Sequence, residues 1–206
     1  MARSGLRMVF AGAESGSSTT LATMNKGGTA SPELTLELAA RMKRFGVVPE
    51  FSFVLGAPPD PEGDTVRTFE FIRRLKTINP ATEVILYTYT PVPGDTGMFA
   101  EAATRGFAFP TTLDEWASEE WSRAMLRRGD RMPWMEGGLR TRVRNFERVL
   151  NAYYPTVTDR RLTPVWRAVL RGVSAWRYAL RVYGAPLELR ALQRVLRYQR
   201  PETTGF

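Results

Sequence analysis

The chain has 206 residues, with 29 Lys+Arg against 21 Asp+Glu, no cysteine and no histidine. Imidazole-dependent nucleophiles are excluded, as are Cys/His zinc sites, thiolate-held iron–sulfur clusters and disulfides with ligands from this chain alone. A hydrophobic share of 43% suits one or two globular units with a sizeable core. No apolar run approaches the ~20 residues needed to span a bilayer. The first residues enter an apolar strand without a signal-peptide layout, so a cytoplasmic protein is expected.

Arg7–Gly12 is a short apolar run ending in glycine and predicts a buried strand. The loop Ala13–Ser18 leads to a short helix around 19–24. Ser31-Pro32-Glu33 then supplies a capping hydroxyl, a first-turn proline and a carboxylate at the positive end of a helix that continues to about Gly46. Glu50–Gly56 predicts a second buried strand, followed by a Pro-rich loop, 57–64, and a helix through Val66, Phe69, Ile72 and Leu75. Glu83–Tyr89 predicts a third, followed by Thr90–Asp95 and a helix from about Gly97 to Arg105. Strand–loop–helix repeated in this way predicts right-handed crossovers and a parallel sheet. Its functional loops would lie at the carboxyl ends of the strands.

From about Pro110 the pattern becomes helical, with Arg and Trp: roughly 112–127, 136–153, 164–183 and 187–199. The expected fold is therefore α/β: a partial (β/α) barrel of about three parallel strands over 1–110, then a helical, Arg-rich extension over 111–206. Charge divides similarly. Residues 1–103 carry a net charge of −1 and residues 104–206 a net charge of +9. The outer edge of the first strand has no partner in such a sheet, so another chain or a longer protein would cover it.

Gly12-Ala13-Glu14-Ser15-Gly16-Ser17 places a carboxylate and two hydroxyls at a strand end, between glycines that permit close backbone approach. The plainer reading is a helix-entry loop with capping serines. It is neither a phosphate loop nor a G-x-G-x-x-G turn. Glu14 could also pair with Asp60 or Asp95 as the two carboxylates of a barrel glycosidase.

Taken together, the three strand-end loops resemble the second half of a radical S-adenosylmethionine catalytic domain. The carrying elements are Gly12–Ser17 (G-x-E-S-G-S), Met24-Asn25-Lys26-Gly27 and Pro91-Val92-Pro93-Gly94, over about residues 5–135. Within that superfamily the chain is similar to the cobalamin-binding type, such as anaerobic magnesium-protoporphyrin ester cyclases and hopanoid-modifying enzymes. The resemblance implies that Glu14 and Ser15 meet the ribose and methionine of S-adenosylmethionine, with Gly12 also in the cofactor site. Ser52, Val54 and Gly56 would correspond to a G-x-I-x-G-type adenine contact, with Ser52 replacing its first glycine, and Tyr87 to Pro91 would complete the adenine pocket. The family's C-x-x-x-C-x-x-C loop, which holds a [4Fe–4S] cluster, is absent, as is a cobalamin-binding domain. The resemblance therefore implies that both groups come from a missing N-terminal half or an upstream chain. This chain would hold half a site, inactive alone, and the substrate would be a small molecule, lipid or pigment.

The Arg-rich end admits three readings. In 164–183 the residues Val165, Trp166, Val169, Leu170, Val173, Trp176 and Leu180 recur at three and four, while Arg167, Arg171, Arg177 and Arg181 take other faces. The first reading packs the apolar stripe on the barrel and leaves snorkelling arginines outside. The second lays an interfacial helix on an anionic membrane surface. Nucleic acid is the third and weakest, since Lys, Gly-rich arms and a recognisable module are lacking.

Overall fold

A computed structural model describes residues 2–24, 30–91, 96–125, 132–135, 137–156 and 162–196. Strand β1 (Met8–Glu14) is followed by helices α1 (Ser18–Thr23) and α2 (Pro32–Arg44), strand β2 (Val48–Leu55) and helix α3 (Pro61–Ile78). Strand β3 (Glu83–Thr88) and helix α4 (Thr96–Thr104) complete the α/β part. The strands form one open parallel sheet in the order β1-β2-β3. The expected fold class is therefore the observed one. Among the described residues β1 pairs only with β2, and Phe10 on this edge strand is 57% exposed.

Local chemistry accounts for the helix starts. Ser31 Oγ accepts from the Leu34 N–H at 3.1 Å, with Pro32 in the first turn of α2. Asp60 caps α3 in the same way, Oδ1 accepting from the Gly63 N–H at 3.0 Å. The core lies between β2 and α3. Phe51, Phe53 and Leu55 alternate along one face of β2 and are buried with Phe69, Phe71, Ile72 and Leu75 of α3. The Phe53 and Phe71 rings meet edge to face at 6.0 Å. Each such side chain contributes roughly 1.5–3 kcal/mol by leaving water.

The single helix expected over 112–127 is two, α5 (Leu113–Trp116) and α6 (Glu119–Met125). A Thr112/Glu115 capping box starts the first, and Ser118 Oγ accepts from the Trp121 N–H at 3.1 Å at the start of the second. Two competing caps within seven residues interrupt what the apolar spacing alone would join.

The chain divides into two compact units at Gly137/Gly138, not at the composition change near residue 110. Trp134 belongs to the sheet unit, its ring 6.1 Å from Tyr89 and 5.9 Å from Phe107. The second unit holds α7 (Gly137–Tyr153, whose first residue ends the sheet unit), α8 (Pro164–Leu180) and α9 (Leu187–Val195). Among the described residues no helix is long and apolar enough to cross a membrane.

The arrangement of α8 corrects the simplest sequence expectation. Of its apolar stripe only Leu170 is buried, whereas Val165, Trp166, Val169, Trp176 and Leu180 are exposed. The side of α8 that is covered carries Leu170, Ser174, Arg177 and Tyr178. Arg177 turns inward because its guanidinium has a full set of acceptors: the Glu188 carboxylate, the Gly184 carbonyl at 2.7 Å and the Ala185 carbonyl at 3.2 Å. That hydrogen bond holds the Glu188 carboxyl below its ordinary value.

Candidate functional site

The parallel register brings most of the sequence-predicted site residues onto one surface. Gly12 pairs with Ser52 and Ser52 with Ile85, while Val54 pairs with Tyr87. Strand alternation sends Phe51, Phe53 and Leu55 toward α3 and Ser52, Val54 and Tyr87 to the other face. Ser52 is buried at the middle of that face, and Val54 and Tyr87 are half-buried.

Glu14 joins them through an irregularity that sequence patterning does not reveal. The β1–β2 register shifts between Gly12 and Glu14, and Glu14 takes φ 61°, a left-handed conformation uncommon for a residue with a side chain. Its carboxylate folds back over Gly12: a Cβ at residue 12 would collide with Glu14 Oε1, and Ser52 Oγ stands 3.8 Å from the same point. Gly12 is therefore the space in which a carboxylate and a hydroxyl converge. Strain of this kind, of order 1–3 kcal/mol, concentrates where the surroundings hold a side chain for a task.

Ser15 and Gly56 do not join this group. Ser15 is buried, and its hydroxyl donates to Asp64 Oδ1 at 2.8 Å while accepting from the Ser17 N–H at 3.0 Å. A ligand role for that hydroxyl would compete with both bonds. Gly56 adopts φ 76° and is covered by Met135, whose sulfur occupies the place of a Cβ. It turns the chain into the Pro58–Pro59 loop.

Of the motif elements outside this face, Asn25–Gly27, Val92, Pro93, Gly94 and Asp95 lie outside the described residues. Asp60, the other partner weighed for Glu14 as a glycosidase acid, is occupied as a helix cap and accepts from Arg67 at 3.1 Å. The Gly63 N–H first and Arg67 second hold its carboxyl below the ordinary value, the wrong direction for a general acid.

Sequence reasoning missed Asp64, the best-buried carboxylate near the loop. Its Oδ1 accepts from Ser15 and, at 2.6 Å, from Thr20 Oγ1, and the Gly16 N–H bonds the neighbouring Thr68 Oγ1 at 3.1 Å. Among the described residues Oδ2 has no hydrogen-bond partner. Burial raises the Asp64 carboxyl above its ordinary value, opposed by the Thr20 and Ser15 hydroxyls. This cluster pins the β1–α1 loop to α3. The available sequence signal was the run of Ser and Thr at 15–20, unreadable without its distant acceptor.

A concavity of 390 Å³ is lined by Phe107, Phe109, Pro110, Trp121, Glu115 and Glu120 among others, and includes none of Gly12, Glu14, Ser52, Val54 and Tyr87. Phe107 and Phe109 pack edge to face at 4.8 Å, so the rings form a wall rather than a cage. Glu115 is engaged by the Thr111 and Thr112 N–H groups, which hold its carboxyl below its ordinary value.

No protein-family model, no curated protein and no solved structure matches this chain. Among the described residues no group of three or more Asp or Glu is placed to hold a metal ion.

Proposed function

We propose that this chain supplies the nucleoside-facing part of an S-adenosylmethionine site in a radical S-adenosylmethionine enzyme of the cobalamin-binding type, and that it is inactive alone. The observation that carries the reading is the convergence of Gly12, Glu14, Ser52, Val54 and Tyr87 on one sheet face, with the Glu14 carboxylate held over Gly12. These residues suit the cofactor's chemistry. The carboxylate accepts from an ammonium or from ribose hydroxyls by charge-assisted bonds, and Ser52 adds a short hydroxyl. Val54 and Tyr87, adjacent across the ladder, offer an apolar and an aromatic surface to a purine.

When bound in enzymes of this type, the cofactor supplies the radical-generating chemistry. This chain's part is to bind and orient the nucleoside. It has no thiolate and no imidazole, so it does not fit as the holder of a [4Fe–4S] cluster or of cobalamin, whose ligands belong to another polypeptide segment in this reading. The cytoplasm is the proposed compartment, and the substrate class is a small molecule, lipid or pigment.

A two-dimensional NMR titration with S-adenosylhomocysteine tests the half-site. Weak binding, with Kd of roughly 1 mM or above, is expected to shift the amides of Gly12, Glu14, Ser52, Val54 and Tyr87. Glu14→Gln should weaken those shifts while leaving the spectrum otherwise folded. Shifts confined to other residues, or none at all, would overturn the proposal, and sub-micromolar binding would contradict the half-site.

A further inference from the structure

We propose that the outward face of α8 is a docking surface for an anionic lipid bilayer, on which the helix lies flat. The inference is independent of the S-adenosylmethionine reading.

At 3.6 residues per turn, Val165, Trp166, Val169, Val173, Trp176 and Leu180 fall within an arc of about 100°. Val165 and Leu180 are 70% and 68% exposed, and Trp166 and Trp176 are 40% and 48% exposed. The apolar side of the helix thus faces water while Ser174, Arg177 and Tyr178 face inward. That inversion has a price unless something covers the exposed arc. α9 repeats the pattern on a smaller scale, exposing Leu187, Ala191 and Val195 at i, i+4 and i+8.

Charge identifies the occupant. Residues 138–206 contain 14 Arg, no Lys and only 4 Asp+Glu. A second copy of so cationic a unit would be repelled, which argues against self-association through this face. An anionic surface is attracted. Guanidinium is also the cation that forks onto phosphate and carboxylate oxygens, and Arg190 and Arg194 are exposed on α9, beside the turn-spaced Leu187, Ala191 and Val195. Two tryptophans on an apolar arc are the side chains that settle at the headgroup level, half in hydrocarbon and half wet. A nucleic acid would use the arginines but leave Val165, Val169 and Leu180 in water. The helix has 17 residues, about 25 Å long, and four arginines from 164 to 181 are incompatible with crossing a bilayer but suit lying on one.

Flotation of the full chain with vesicles of phosphatidylcholine alone, or with phosphatidylserine at about one third, tests this directly. The expected result is recovery with the anionic vesicles only, a blue shift of tryptophan emission on binding, and a loss of affinity of about tenfold or more in Trp166→Gln/Trp176→Gln. Both positions are substantially exposed, and circular dichroism checks that the variant remains helical. No enrichment on anionic over neutral vesicles overturns the proposal. So does binding that the double variant leaves intact, which would be charge alone, or a dimer in solution that the double variant dissolves. Salt-sensitive retention on RNA or DNA with no flotation would favour nucleic acid instead.

Discussion

The two units bury their side chains by opposite logic. In the sheet unit the apolar alternation of β2 goes inward against α3, and Ser52 on its other face lies near Gly12 and the Glu14 carboxylate. In the helical unit the apolar stripe of α8 goes outward, and an arginine with its carboxylate partner goes inward. A parallel strand covered by a helix has one way to satisfy its pattern, because a one-residue slip would expose every core side chain. A short amphipathic helix has two, and the hydrogen-bond acceptors near Arg177 select the less expected one.

The contrast predicts very different costs for similar truncations. Phe53→Ala should destabilise the sheet unit by about 3–5 kcal/mol, read as a lowered denaturation midpoint, because the side chain is fully buried beside Phe71. An equally large loss from Leu180→Ala would erase the distinction, since the exposed stripe should tolerate truncation within about 0.5 kcal/mol. Arg177→Met should cost the helical unit about 2–4 kcal/mol, as Glu188 and the Gly184 and Ala185 carbonyls lose their donor. A neutral outcome would mean that the inward arginine does not organise α8 and α9.

Two smaller effects are specific to pH. Burial pushes the Lys76 ammonium down to about 8, opposed by the Glu83 carboxylate, and its Nζ donates to the Thr82 carbonyl. The unfolded chain, at the ordinary 10.5, then binds more protons than the native one, so stability should rise as pH climbs from about 8 toward 10.5. Lys76→Met should lack that rise. For Asp64 the sign is opposite. Its raised native value means that stability falls as pH rises from the ordinary aspartate value of 3.8 through the native one. Asp64→Asn should flatten this slope in chemical denaturation from acid to neutral pH, the smallest of these effects.

Much of the sheet unit was legible before its structure. Continuous apolar runs marked all three strands, and Ser31-Pro32-Glu33 marked the start of α2 to the residue. Gly12, Ser52, Val54 and Tyr87 share a face because strand register converts sequence spacing into adjacency, and Glu14 reaches it only through the register shift after Gly12. Ser15 was nominated with them but is drawn inward by Asp64, an acceptor 49 residues away that no local pattern announces. The left-handed Glu14 was equally hidden, since nothing in an apolar run ending in glutamate announces a register shift. The stripe on α8 was visible, but periodicity names a face without saying what covers it.

The central claim is that the sheet face bearing Glu14 receives a nucleoside. Photoaffinity labelling with an azidoadenine analogue of S-adenosylmethionine, followed by peptide mapping, tests it most directly. The account predicts adducts on Ser52, Val54 and Tyr87, suppressed by excess S-adenosylhomocysteine and reduced in Glu14→Gln. Labelling that falls on residues 138–196, or that competitor does not suppress, would contradict it.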